Sequence, residues 1–290
     1  MLPGIRYFWD FDRKISRLYG AITKEEITTA LASYTPFTLL LDPNLRVLAN
    51  IPLSDADKHN QILEKCLSTL PPLNNYAGMP IHAPLLIIPR IFEPSFCNYL
   101  IDLYQTNGGY ESGFMIEKNG QTVGVINYSF KRRSDYNLEL EPNQKEVCAI
   151  IQHKIVTQVV PEIYKAFNYK VTRMERYLIA CYDGDLGGYF KPHRDNTTKA
   201  TAHRCFACTI NLNAEEYEGG NLRFPEYGEQ TYRAPTGGAI VFSGSLLHEV
   251  TPVIGGKRYA FLPFLYDELA AQIRRNNQQF LSEEVIKISS

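Results

Sequence analysis

His193-Arg194-Asp195, a lone His248 and Arg258 ten residues beyond it are the residues best able to do chemistry in this sequence. Along an extended strand, side chains two apart lie on the same face. His193 and Asp195 therefore aim an imidazole and a carboxylate at one point, and His248 from a facing strand would complete a three-ligand face. Two histidines and one carboxylate, with coordination positions left open, suit a non-haem Fe(II) ion that activates oxygen.

Holding such a face takes strands, and from Arg176 onward the chain is strand-rich: 177–181, 205–212, 239–242 and 259–266, with Gly- and Pro-bearing turns between. Upstream, 85–88 reads as a strand, 95–105 as a helix, and 142–167 as a long amphipathic helix interrupted near Pro161. Support helices followed by a run of strands predict an α+β domain over 85–268, its core a double-stranded β-helix or jelly roll. Residues 269–290 form a C-terminal tail, whose Phe280–Ser290 end, with Val285, Ile286 and Ile288, reads as a docking helix or a frayed end. Residues 71–84 carry four prolines and a glycine with no apolar stripe, and read as a linker. Before it, 6–11 reads as a strand and 13–19 as a helix stopped at Gly20. Two strands, 38–41 and 46–51, flank the turn Asp42-Pro43-Asn44, and 57–70 has helical apolar spacing.

With 44% apolar residues and a net charge of −1 over 290 residues, the chain has the composition of a soluble globular protein. No basic stripe for nucleic acid is evident, and nucleic acid is not expected as a partner. No charged-then-apolar leader opens the sequence, and no segment approaches the roughly 20 apolar residues of a membrane span, so no membrane role is expected. Six cysteines in a chain of this length do not make a disulfide framework, which points to a reducing, cytoplasmic compartment. Composition leaves the oligomeric state open.

The segments around the candidate ligands carry a resemblance. Tyr182 to Asn196 reads as a strand end, a Gly-rich turn and the ligand strand. Glu218-Gly219-Gly220-Asn221-Leu222-Arg223, Pro235-Thr236-Gly237-Gly238 and Leu247-His248-Glu249 follow in order. Over about 85–267 the chain resembles the 2-oxoglutarate- and Fe(II)-dependent oxygenases of the prolyl 4-hydroxylase-like superfamily. The resemblance implies that His193, Asp195 and His248 bind Fe(2+), and that Arg258 pairs with the distal carboxylate of 2-oxoglutarate. Its planar fork suits bidentate carboxylate binding, and the adjacent Lys257 must face the other way. Tyr182 is implied as a hydrogen-bonding partner of the cosubstrate, with Thr209 as a second polar contact. The reaction implied consumes 2-oxoglutarate and O2, releases succinate and CO2, and hydroxylates a peptidyl (prolyl-type) or small-molecule substrate, with L-ascorbate keeping the iron reduced.

Residues 1–70 resemble the C-terminal half of a thioredoxin-like (peroxiredoxin-like) domain. Phe8-Trp9-Asp10-Phe11-Asp12 and Leu18-Tyr19-Gly20-Ala21 stand where that family has an Asp-Pro…Tyr-Gly stretch. The half that would hold a peroxidatic cysteine is missing, and Cys66 is the only thiol in this partial module. Two competing functions follow: a thiol-redox protein centred on that module, and a non-catalytic metal-binding jelly roll, against which Arg258 argues because a structural metal needs no carboxylate anchor.

Other signals have plainer readings. Cys205-Phe206-Ala207-Cys208 has redox or zinc spacing but no second pair, so core or surface cysteines are expected. His203 reads equally as a substrate contact or a surface histidine. Lys131-Arg132-Arg133-Ser134-Asp135 reads as a solvated turn, with a lip that grips an anionic or peptide substrate as the functional alternative. Arg194 and Asn196 read as solvated loop residues or substrate readers.

Overall fold

The computed structural model describes residues 10–22, 34–42, 46–70, 75–76 and 79–288. The chain divides into two compact units, Met1–Met79 and Pro80–Ser290. In the smaller, the described elements are a short helix Lys14–Leu18, an antiparallel pair Phe37–Leu41 and Val47–Pro52, and a helix Ala56–Thr69. Asp55 caps that second helix, its carboxylate accepting from the Asp57 and Lys58 N–H groups. Of the strand expected at 6–11, residues 6–9 lie outside the described residues and Asp10 and Phe11 are not in a strand; the centre of the Asp42-Pro43-Asn44 turn also lies outside the described residues. Within the stretch expected to be a linker, Asn75–Tyr76 pairs with Met79–Pro80.

In the larger unit two antiparallel sheets face each other. The nine-stranded sheet runs Arg173–Glu175, Phe264–Tyr266, Phe206–Asn211, Lys257–Phe261, Leu178–Asp183, Ser134–Asn137 and Tyr110–Glu111. Ala239–Ser243 and Leu85–Ile88 branch from Phe206–Asn211. The five-stranded sheet runs Thr231–Tyr232, Leu222–Arg223, His248–Val250, Tyr189–His193 and Lys131–Arg132. This α+β jelly roll follows from period-two burial. On the outer face of the large sheet, Ile179, Cys181, Cys208, Ile210 and Phe261 pack against Leu100, Ile151, Ile155 and Ile163 from the support helices. The alternate residues, Ala180, Tyr182, Ala207, Phe242 and Phe264, face the space between the sheets, where Phe190, Leu222, Phe224 and Val250 meet them.

The support helix runs through Lys145–Lys154 and Val160–Phe167 with a widened π turn, Ile155–Val159, between them. Pro161 has no N–H to offer Thr157 and its ring crowds that carbonyl, so the helix widens just ahead of it. Over the described residues 281–288, the stretch expected to be a docking helix or a frayed end is a strand instead. Helix Glu268–Asn277, capped by Asp267, leads into a strand, Leu281–Ile288, that pairs in parallel with Gln121–Asn127. Parallel pairing unites distant segments, so nothing near the tail announces it.

Candidate active site

The His193 strand lies beside the His248 strand, with His193 directly opposite His248. The strand ends at His193, and Asp195 sits in the turn beyond, its N–H donating to the Gly244 carbonyl (2.9 Å). That turn, rather than strand alternation, swings the carboxylate back. A Cβ at Gly244 would lie 2.5 Å from the Arg204 carbonyl, so only glycine permits the approach. His193 Nε2 is 3.6 Å from one Asp195 oxygen and His248 Nε2 is 3.3 Å from the other; the three donor atoms lie within 4.8 Å of one another.

Each imidazole is held by its other nitrogen. Nδ1 of His193 lies 2.8 Å from the Lys191 carbonyl, and Nδ1 of His248 lies 2.9 Å from the Leu246 carbonyl. A carbonyl only accepts, so each Nδ1 donates and each Nε2 is the nitrogen turned inward toward Asp195. Burial, followed by the neighbouring His193, pushes His248 down to about 4. Burial opposes ionisation of Asp195, yet His248, His193 and Arg204 hold its carboxyl well below the usual range. Neutral imidazoles and an ionised carboxylate are the protonation states that a divalent metal requires.

Arg258 stands opposite Tyr182 in the large sheet, its side chain on the inner face and only 1% exposed, while Lys257 points outward to Asp183. Its guanidinium lies 4.9 Å from the Tyr182 ring centroid. Nε and Nη1 have no hydrogen-bond partner among the described residues. Buried donors left unpaired cost about 1–3 kcal/mol each, so the pocket fits an anionic ligand that satisfies them. Gly220, in a left-handed conformation, makes room: a Cβ there would meet Val253 Cγ2 at 2.8 Å and Arg258 Cδ at 3.1 Å. Tyr182 is buried, and its hydroxyl accepts from Arg133 Nη1 at 3.3 Å. Thr209 is buried on the strand carrying Ala207, two residues on and hence on the same inner face.

Several residues sit differently from the sequence reading. His203 is not a surface residue; it is buried, with Nε2 2.9 Å from Glu175. Arg194 is a partly exposed loop residue with its guanidinium engaged. It pairs with Glu226 at 2.6 Å and donates to the Ser245 carbonyl, while Asn196 donates to the Ser245 hydroxyl, so both brace the ligand turn. Lys131–Asp135 is not a solvated turn: Lys131 is 4% exposed and the Arg133 side chain also 4%. Lys131, Arg133 and Asp135 alternate with Arg132 and Ser134, a period-two pattern that could have announced one buried face. Arg176 and Phe190, whose ring stacks 3.5 Å from that of His193, had no signal in the sequence. All six cysteines are free, and Cys208 is buried in the core.

Residues 177–266, which include His193, Asp195, His248, Arg258, Tyr182 and Thr209, match the model of the 2OG-Fe(II) oxygenase superfamily. The chain is similar to a PKHD-type hydroxylase from Synechococcus, 36% identical over 89 residues, covering 29% of this chain and 39% of that protein. Another PKHD-type hydroxylase, from Stenotrophomonas maltophilia, is 46% identical over 150 residues, covering 48% of this chain and 62% of that one. The chain thus spans less than two thirds of these relatives. Among solved structures, a Trichoplax adhaerens prolyl hydroxylase in complex with a hypoxia inducible factor oxygen degradation domain peptide fragment superposes with a TM-score of 0.52. Its identity is 19%, with 67% of this chain and 86% of that one covered, which establishes a shared fold.

Proposed function

We propose that this chain is an Fe(II)- and 2-oxoglutarate-dependent dioxygenase that hydroxylates a peptidyl (prolyl-type) or small-molecule substrate, releasing succinate and CO2. The observation that carries this reading is a two-histidine, one-carboxylate face in a jelly roll whose large sheet also carries, on its inner face, a buried guanidinium with two unpaired nitrogens. The superfamily match over the same residues supports it.

His193, Asp195 and His248 would hold the metal, leaving open positions for cosubstrate and oxygen. A ferrous ion bound there supplies O2 activation coupled to oxidative decarboxylation of 2-oxoglutarate. The protein's own part is positional. Lys191 and Leu246 carbonyls fix the imidazole tautomers, and Arg194 with Glu226 holds the ligand turn. Arg258 anchors the distal carboxylate of 2-oxoglutarate, Tyr182 and Thr209 on the same inner face offer hydroxyls to the cosubstrate, and the Phe190, Phe224 and Phe242 rings keep bulk water from the reacting centre. L-Ascorbate serves to keep the iron reduced, and the cytoplasm is the compartment that fits this chemistry. Among the described residues no helix is long and apolar enough to cross a membrane.

The test is succinate formation from 2-oxoglutarate with Fe(II) and O2, coupled to a product heavier by one oxygen. His193→Ala is expected to abolish both; full activity in that variant would end the reading. For the N-terminal unit we propose a partial thioredoxin-like module without peroxidase activity, supported by the order helix, hairpin, helix. Peroxide consumption that disappears in Cys66→Ser would overturn that assignment.

A further inference from the structure

The run 131–137 crosses from one sheet to the other. Lys131–Arg132 pairs with the His193 strand, and Ser134–Asn137 pairs with the Tyr182 strand. Its inward side chains therefore lie between the metal face and the cosubstrate anchor. Lys131 Nζ is 4.8 Å from the Phe190 ring centroid, and that ring stacks on His193. Arg133 bonds the Tyr182 hydroxyl, and Tyr182 carries Arg258 on its ring. Arg176 joins them from the bend before the Tyr182 strand, held in a left-handed conformation (φ 68°) that a non-glycine residue adopts only under constraint.

Charge in this cluster does not balance. Lys131, Arg133 and Arg176 share one carboxylate, Asp135, at 2.6 Å from Arg133 and 3.6 Å from Arg176. The other charges that Arg176 meets are Arg204, already paired with Glu175, and Asp195, a metal ligand in the proposed site. Lys131 donates only to neutral oxygens, those of Ser112 and Gly113. Arg133 Nε and Asp135 Oδ1 have no partner among the described residues. Burying cations beyond their counterions is costly, and the cost is met by an anion from outside. Burial, then Arg133, pushes the Lys131 ammonium well below its ordinary value.

We propose that the primary substrate carries an oxyanion, a carboxylate or a phosphate, that docks on Arg133, Arg176 and Lys131 and so presents its neighbouring C–H to the metal. This rests on the oxygenase reading above. It narrows the substrate from a neutral peptide interior to an anionic molecule. Arg133 and Arg258 both lie over the Tyr182 ring, at 5.7 and 4.9 Å from its centroid, so the test must separate an anion on the Arg133 cluster from the cosubstrate on Arg258.

Anaerobic calorimetry on the Fe(II)- and 2-oxoglutarate-loaded protein, with acetate and inorganic phosphate as separate probes, tests this. Saturable binding of one of them is expected, and which one binds identifies the anion. Arg176→Gln should weaken that binding about tenfold or more, the loss of one charge-assisted hydrogen bond. Arg132→Gln, an outward residue of the same run, should leave it unchanged. The 2-oxoglutarate affinity, read first on each variant, separates the outcomes. Its absence in wild type refutes the oxygenase reading itself, and its loss in Arg176→Gln alone assigns the cluster to the cosubstrate or to folding and overturns the proposal. Normal 2-oxoglutarate binding with no saturable binding of either probe also overturns it.

Discussion

At the residue scale, the decisive features are atoms left without partners. Arg258 is enclosed with two nitrogens unpaired, an arrangement that a stable interior tolerates only when a ligand completes it. Arg258→Gln removes a buried charge-pairing donor worth about 2–5 kcal/mol. The Michaelis constant for 2-oxoglutarate should therefore rise about thirtyfold or more, with a smaller change in kcat; an unchanged constant would contradict the anchor assignment. Gly220→Val should move the same parameter in the same direction, because its side chain would displace Arg258 while leaving every metal ligand in place.

At the scale of elements, Glu175 ties three segments together. It accepts from His203 and Arg204 at 2.9 Å each, and Arg274 lies 3.3 Å away. Burial would raise its carboxyl, but His203 and Arg204 bring it down to about 2 from an ordinary value of 4.5. A lowered folded-state value contributes stability that is present above about 4.5 and is lost as pH falls toward 2. The shift corresponds to about 3 kcal/mol. Glu175→Gln should cost about that much at neutral pH in urea unfolding, and the gap from wild type should close progressively between pH 4.5 and pH 2. A gap independent of pH would show that the pair contributes through packing alone. The terminal strand makes a second element-scale case. Deleting residues 281–290 exposes one edge of Gln121–Asn127. Amide exchange in that strand should accelerate several-fold, and unaltered protection would mean that the parallel pairing contributes nothing to its stability.

At the scale of the whole molecule, every proposed ligand of metal, cosubstrate and substrate belongs to the Pro80–Ser290 unit. A fragment comprising residues 80–290 should therefore bind Fe(II) and 2-oxoglutarate with affinities within about threefold of the full chain, measured by anaerobic titration. A loss much beyond that would give the smaller unit a part in assembling the site.

The convergence of His193, Asp195 and His248 was legible in the sequence because residue type and order carry it: two histidines and one carboxylate, with an arginine ten residues on. The strands flanking it were legible because burial on alternate residues repeats locally. Other features were open to local reading yet easily passed over, such as Asn119-Gly120, both left-handed, closing the Phe114–Lys118 and Gln121–Asn127 hairpin. Tertiary structure alone decided what depends on segments far apart in the chain. It placed Asp195 by a bond to Gly244, buried His203 against Glu175, and carried Lys131 and Arg133 across the gap between two sheets. It also paired the tail with a strand more than a hundred residues earlier. A local pattern states which face a side chain can take; only the folded partner determines whether that face meets water or charge.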